Sequence, residues 1–182
     1  MRLTQPKSPS LHLKIAMKKK SAKRNKARKL SEGALIADQL RRAFDGRAWH
    51  GPALLELLKD VDASAAAAKP LPDVHSIWEL VLHIRAWDNA GLRRLAGETA
   101  KLKGNANFPL VPTMPTEEAW KEAVTAVTRT HETLVETIEG LSEKRLRDRV
   151  PGKAYDFYHM FHGIAQHELY HAGQIAILKK VR

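Results

Sequence analysis

Apolar residues recur every three to four positions along most of the chain, which is the spacing of a buried helix face. This pattern predicts four long helices and one short one, over residues 31–44, 52–58, 76–95, 116–140 and 156–180. Ser76, Thr116 and Asp156 stand where N-caps are expected, and Ser76 with Glu79 matches the capping-box pattern. No segment alternates apolar and polar residues with a period of two, so an all-α fold is predicted. We expect the four long helices to bury their apolar faces in an antiparallel four-helix bundle with a short extra helix.

Two stretches between these segments lack a helical period and are expected to be loops. Residues 62–75 contain an alanine run broken by the sequence KPLPD, and residues 98–115 contain three prolines. A connection as long as residues 98–115 often lines a functional site in a compact domain.

The formal net charge of +11 resides in a basic N-terminal extension. Residues 1–30 hold 11 of the 31 Lys and Arg residues and no Asp or Glu, which leaves 20 basic against 20 acidic residues in the rest of the chain. The chain therefore divides into a basic tail (1–30), expected to be disordered, and one domain (31–182). The tail either binds nucleic acid or another polyanion through phosphates, or is a solvated extension or an upstream start. The solvated extension is favoured.

The chain has no cysteine, which excludes disulfides, cysteine-rich zinc modules and a nucleophilic protein thiol. No run of about 18 apolar residues is present, and the N-terminus is too polar for a signal peptide. These features favour a cytoplasmic protein without a membrane partner.

His167 and His171 lie four residues apart in the last predicted helix, so their side chains share one face, about 40° apart. Two neutral imidazoles in this arrangement form half of a common site for a divalent transition metal. Their face is otherwise mostly apolar, so two packing histidines without a metal are the alternative. A third ligand would favour a metal site over two packing histidines. His83, at the edge of the apolar stripe in the 76–95 helix, is the candidate.

The segment from His167 to His171, HELYH, also matches the H-E-x-x-H pattern of zinc metalloproteases, whose glutamate is the general base. That class takes its third ligand downstream, and the residues after His171 include no His, Asp or Glu. A protease is therefore disfavoured. Glu168 projects about 100° round the helix from His167, so we expect it to border the site as a candidate base or partner of a ligand.

Three segments resemble the DinB-like (YfiT-like) superfamily of metal-binding four-helix bundles. They are AWHGPALLELL (48–58), HSIWELVLHIRAWDNAGLRRLAGE (75–98) and HGIAQHELYHAGQIAILKK (162–180). The resemblance covers most of residues 31–182 and excludes the basic tail. It implies that His83, His167 and His171 bind a divalent metal, with zinc or nickel favoured and iron or manganese as alternatives.

Each imidazole ligand needs a hydrogen-bond partner on its other ring nitrogen. Glu79 and Gln174 are the candidates by helical spacing, and His50, in the AWHG turn, is a further candidate for the pocket. His131 has no partner at a useful spacing and is given no role.

The resemblance implies several functions for such a site. Some DinB-like proteins are thiol-dependent S-transferases or isomerases, and others have no assigned activity. Three histidines leave a position open, where a metal could activate a thiol or a water. We expect a metal-dependent S-transferase that acts on a small molecule with a low-molecular-weight thiol as cosubstrate. The alternatives are a non-catalytic metal-binding stress or interaction protein and a metal-dependent hydrolase. The last helix is apolar on more than one side, so a homodimer through it is expected.

Overall fold

Helices form the regular structure of the computed structural model, which describes residues 30–181. They are α1 (Glu32–Asp45), α2 (Leu54–Leu58), α3 (Ala63–Ala67), α4 (Ile77–Leu95), α5 (Glu117–Glu139), α6 (Glu143–Arg147) and α7 (Phe157–Leu178), with a 3-10 turn at Gly104–Ala106. Within residues 30–181 there is no β-strand, and no helix is long and apolar enough to cross a membrane. The all-α prediction is therefore confirmed for this part of the chain. The predicted basic tail lies outside the described residues, apart from Leu30.

The long helices begin at hydrogen-bonding side chains that the sequence supplies. Ser76 Oγ accepts a hydrogen bond from the Glu79 backbone N–H at 3.2 Å, and Glu79 Oε2 accepts one from the Ser76 N–H at 2.8 Å, which completes the capping box of α4. Thr116 caps α5, and Asp156 caps α7 by accepting from the His159 N–H at 2.8 Å. All four long helices begin and end within two residues of the predicted bounds.

The long helices pack around two apolar clusters. Helix α4 contacts α5 and α7, and α1 contacts the same two helices. One cluster includes Trp78 of α4 and Trp120 of α5, whose ring centroids are 5.1 Å apart. The other includes Phe157 and Phe161 of α7 together with the buried face of α1. Because burying a large apolar side chain stabilises by about 1.5–3 kcal/mol, these clusters fix the relative positions of the helices that carry the candidate ligands.

Residues 63–67 form the short helix α3, where the sequence predicts a loop. Alanine has the highest intrinsic helix propensity, which favours a helix over this run. Asp62 accepts a hydrogen bond from the Ala65 N–H at 2.8 Å, and Glu117 accepts one from the Ala63 N–H at 2.8 Å. The second bond reaches the start of α5, so a distant part of the chain helps to cap this helix.

Gly91 allows α4 and α7 to approach closely. A Cβ atom at this position would lie 3.0 Å from Ile164 Cδ1 and 3.4 Å from Leu134 Cδ1. A larger residue would therefore force these side chains or the helices to move. Since α4 and α7 carry the three candidate histidines, their separation controls the geometry of the site.

Helix α7 packs against α1, α2, α4 and α6. Its residues Phe157, Phe161 and Ile175, which contribute to the prediction of a homodimer, are fully buried within the chain itself. Leu169 and Tyr170 remain exposed. The homodimer stays a prediction, and it rests on a smaller apolar surface than the sequence suggests.

Candidate metal centre

His83, His167 and His171 meet between α4 and α7. His167 Nε2 lies 3.0 Å from His83 Nε2 and 3.0 Å from His171 Nε2. One potential ligand atom of each residue lies within 4.8 Å of the others. His83 and His171 are buried, and His167 is half-buried. The fold therefore brings together the three histidines that the sequence singles out, at the edge of the core.

Hydrogen bonds hold two of these imidazoles with Nε2 turned toward the third. His83 Nδ1 lies 2.7 Å from the Asn107 main-chain oxygen, and His171 Nδ1 lies 2.6 Å from Gln174 Oε1. Both oxygens can only accept, so each Nδ1 carries the proton and each Nε2 presents a lone pair. His167 Nε2 can donate to only one of them. At least one N···N contact therefore has no proton between its atoms, so two lone pairs face each other. A cation bound by both nitrogens would remove this repulsion.

The 98–115 connection supplies part of the wall of this site. Phe108 stacks on His83, with ring centroids 4.0 Å apart and planes within 7° of parallel. Asn107 accepts from Trp87 Nε1 at 3.0 Å through its side-chain oxygen, in addition to its main-chain bond with His83. We call Trp87 and Phe108 the aromatic wall. The long connection thus orients His83, a candidate ligand, and shields one face of its ring.

The environment keeps the three imidazoles neutral. Burial lowers the pKa of His83, and burial with the neighbouring His171 and His83 lowers the pKa of His167 to about 3. Burial also lowers the pKa of His171, although its hydrogen bond with Gln174 acts in the opposite direction. Because neutral imidazole is the form that binds metal ions, the cluster is in its ligating form at neutral pH.

The donor set fits a divalent transition metal. Two imidazole nitrogens that share a tetrahedral zinc ion at about 2.0–2.1 Å lie about 3.3–3.4 Å apart, close to the 3.0 Å separations in the cluster. Three nitrogen donors would leave a fourth tetrahedral position for a small molecule. His167 Nδ1 is buried without a hydrogen-bond partner among the described residues, so it lacks the outer partner that the other two ligands have.

Glu168 faces a second group of buried side chains. Its Oε1 lies 2.9 Å from His131 Nδ1, and Asp88 Oδ2 lies 3.4 Å from the same nitrogen. The three residues come from α4, α5 and α7 and are at most 2% exposed. We call them the buried triad. The view that His131 has no partner is wrong, because its partners come from two other helices.

Burial dominates the electrostatics of the buried triad. Burial and the adjacent Asp88 charge raise the pKa of Glu168 to about 8, and burial raises the pKa of Asp88. Burial by itself lowers the pKa of His131, but contacts with the two carboxyl groups outweigh it and raise the pKa to about 9. Without another cation, protons must therefore compensate the charge of the carboxyl groups.

Two other candidates from the sequence do not belong to the histidine cluster. Glu79 accepts from Lys69 Nζ at 2.8 Å in addition to its role in the capping box of α4. His50 is exposed and borders a groove with Trp49 and Leu169. Of the proposed partners of the ligands, Gln174 is the one that contacts a site histidine.

Three residues of interest are missed by sequence analysis. Asn107 acts through its main-chain oxygen, which every residue has, so its side chain gives no signal. Asp88 follows Ile84 by four positions, and His131 follows Val127 by four, so both polar residues continue an apolar stripe. A polar residue at such a buried position is the signal that would identify them.

The fold and the site define an all-helical protein with a buried cluster of three histidines between two long helices. Residues 48–175, more than half of the chain, match the DinB superfamily, and the chain belongs to this superfamily. Searches of curated proteins and of solved structures found no match.

Proposed function

We propose that His83, His167 and His171 bind one divalent transition metal and that the chain is a metal-dependent enzyme acting on a small molecule. The observation that carries the proposal is the convergence of three imidazole Nε2 atoms, two of which are fixed by partners on Nδ1. Zinc or nickel is the favoured ion, because imidazole suits these metals, with iron and manganese as alternatives.

The chain's own residues would hold the ligands and exclude water. The Asn107 carbonyl orients His83, and the Gln174 side chain orients His171. The aromatic wall lowers the local dielectric, which strengthens electrostatic interactions at the site. Three neutral imidazoles compensate none of the charge of a divalent ion, so a bound ion would favour the anionic form of an incoming thiol or water.

We propose a low-molecular-weight thiol as cosubstrate, in line with the thiol-dependent proteins to which the resemblance points. Because the chain has no cysteine, the sulfur must come from outside it. In the reaction, the thiol gives its proton to water and its sulfur forms a bond to an electrophilic carbon. The leaving group departs with the electron pair of the bond that breaks.

Elemental analysis of untagged full-length protein tests the metal site. We expect one metal ion per chain to be lost in His83→Ala and in His171→Ala and to be kept in His75→Ala. His75 is a matched control, because it is an exposed histidine that stacks on Phe108 at 3.7 Å and lies outside the three-histidine group. Protein that holds no metal and takes up neither zinc nor nickel would mean that the histidines are packing residues.

Turnover distinguishes the transferase from a non-catalytic metal-binding protein. Metal-loaded protein is incubated with a panel of thiols and a generic electrophile, and the loss of free thiol is followed. A rate well above that of folded His83→Ala supports the transferase. A rate equal to that of the variant would favour a metal-binding stress or interaction protein.

A metal-dependent hydrolase is the second candidate enzyme. The surroundings of Glu168 disfavour a metalloprotease that uses this glutamate as general base. The H-E-x-x-H chemistry requires a glutamate that takes a proton from the attacking water. Glu168 is 0% exposed and bonds to His131. Ester or amide hydrolysis that disappears in Glu168→Gln would restore this candidate.

We also propose that the four long helices close as an antiparallel four-helix bundle within a domain of residues 31–182, and that the chain forms a homodimer through α7. The exposed Leu169 and Tyr170 support the dimer, because burying them would remove apolar surface from water. Light scattering that gives the monomer mass at micromolar protein would exclude it.

We propose that the basic tail (1–30) is a solvated extension or an upstream start, with contact with nucleic acid or another polyanion as the alternative. Phosphate contacts by lysine and arginine weaken steeply as salt rises. Mobility shifts with and without residues 1–30 test the tail, and the absence of salt-sensitive binding by the full-length chain would exclude the contact.

A further inference from the structure

The buried triad is built from residue types that bind metal ions. Asp88, His131 and Glu168 each place one ligand atom within 4.8 Å of the others. They are 0%, 2% and 0% exposed, respectively. Each comes from a different helix, so packing of α4, α5 and α7 creates a small polar space in an otherwise apolar core.

Hydrogen bonds leave most polar atoms of the buried triad without a partner. His131 Nδ1 has one proton to donate, and Glu168 Oε1 is the nearer acceptor at 2.9 Å. Both oxygens of Asp88, together with Glu168 Oε2 and His131 Nε2, have no hydrogen-bond partner among the described residues. One Asp88 oxygen points toward His131 Nδ1 from 3.4 Å. Buried polar groups are normally paired, so these atoms require either protons on the carboxyl groups or a bound ligand.

The charge of the buried triad points to a cation as that ligand. Two carboxylates in a medium of low dielectric need positive charge beside them. Among residues 30–181, the ion pairs that reach Asp88 and Glu168 both come from His131. One imidazolium compensates only one of the two negative charges, so the second carboxyl group must either hold a proton or face another cation. A divalent ion held by two carboxylates and a neutral imidazole would make the group electrically neutral.

His131 connects the triad to a route from the surface. It borders a cavity of about 260 Å³ between α1 and α5, which Thr128 and Glu132 also line. The His131 ring stacks on Phe44, with ring centroids 3.9 Å apart. The imidazole therefore lies between the cavity and the two carboxyl groups.

We propose that Asp88, His131 and Glu168 form a second divalent-cation site, with ligands separate from the three histidines. The two carboxylates contribute oxygen and His131 contributes Nδ1. Carboxylate oxygens suit harder ions than imidazole does, so this site accepts Mn²⁺ more readily than a site of three histidines. The bound ion ties α4, α5 and α7 together. The inference does not depend on the proposed enzymatic activity.

Binding of Mn²⁺ to chelator-stripped, full-length protein tests the proposal. Bound ion is counted from the loss of the free Mn²⁺ signal in electron paramagnetic resonance. We expect the wild type to bind one ion per chain more than Asp88→Asn, which keeps the shape of the side chain and removes its charge. Glu132→Gln, which removes the exposed carboxylate next to His131 in sequence, is the matched control and is expected to bind as the wild type does. Mn²⁺ should also raise the melting temperature of His83→Ala but not of His83→Ala with Asp88→Asn.

Equal Mn²⁺ binding by the wild type and Asp88→Asn would overturn the proposal and mean that protons alone compensate the carboxyl groups. If circular dichroism shows that Asp88→Asn is unfolded, His131→Gln takes its place in the same comparison. His83→Ala keeps the two sites distinguishable. An ion lost only in that variant belongs to the histidine cluster, and an ion lost only in Asp88→Asn belongs to the buried triad.

Discussion

The hydrogen bond from His171 to Gln174 allows a direct test of how the chain orients its proposed metal ligands. His171 Nδ1 lies 2.6 Å from Gln174 Oε1, one turn further along α7. Gln174→Ala removes the acceptor, so the His171 ring can rotate and its proton can move to Nε2. The orientation of His83 is expected to stay unchanged, because its Nδ1 bonds to a main-chain oxygen that no side-chain substitution removes.

The loss of metal affinity can be bounded from the chemistry of such partners. Removing the outer partner of a metal-bound histidine weakens metal binding about 10–100-fold, which corresponds to about 1.4–2.7 kcal/mol. Gln174 is half-buried, so water can reach His171 Nδ1 and replace part of the lost bond. We therefore expect a loss of about tenfold, at the lower end of this range. Gln174→Glu keeps the acceptor and adds charge, so it should bind metal at least as tightly as the wild type.

Competition with a colorimetric zinc chelator measures the affinity of each variant. Asn107→Ala is a matched control, because it removes the bond with Trp87 and keeps the main-chain oxygen used by His83. Unchanged zinc affinity in Gln174→Ala, with metal lost in His171→Ala, would refute the role of the hydrogen bond. Equal weakening by Gln174→Ala and Gln174→Glu would refute it as well.

Two further predictions concern the stability of the fold. Gly33→Ala should destabilise the protein, because the new Cβ would overlap the main-chain oxygen of Ile138. Gly163→Ala in α7 meets open space and should stabilise by about 0.5–1 kcal/mol; equal shifts of the two variants in chemical denaturation would contradict this contrast. Burial raises the pKa of Glu79, but hydrogen bonds from Lys69 and a main-chain N–H outweigh it, so the pKa is lowered overall from its usual 4.5. This contribution to stability is present above pH 4.5 and lost as the pH falls through the folded-state pKa, so Glu79→Gln should flatten the acid side of the stability curve, and an unchanged curve would refute the assignment.

The long helices are predictable because their signals are local. The capping box of α4 lies in four consecutive residues, and the apolar stripe of each helix repeats within a few turns. Helix α3 differs, because one of its caps is Glu117 of α5, 54 positions away from Ala63. The alanine run favours this helix and is visible in the local sequence. The carboxylate of Glu117 also stabilises it, but that contact forms only when α5 packs nearby.

The histidine cluster likewise has some features that the local sequence predicts and others that depend on the tertiary structure. The i,i+4 spacing of His167 and His171 places both on one face of α7, so the pair is evident from the sequence. Nothing local connects His83 with that pair. Its position at the edge of an apolar stripe makes it a candidate third ligand, and the resemblance to a family assigns it that role. Gln174 is close in sequence to His171 and could be proposed, whereas the carbonyl of Asn107 reaches His83 only after the 98–115 connection folds back on α4.

The sequence by itself determined the all-α class, the long helices, the absence of a protein thiol and the pair of histidines on α7. These features depend on residue type and on neighbours within one or two turns. Only the tertiary structure decided what surrounds each face of α7. Glu168 projects about 100° round the helix from His167, and whether that direction meets metal ligands, solvent or His131 depends on which helix packs there. Packing over distant residues made that choice, because burial of the apolar stripes sets the rotation of every helix about its axis.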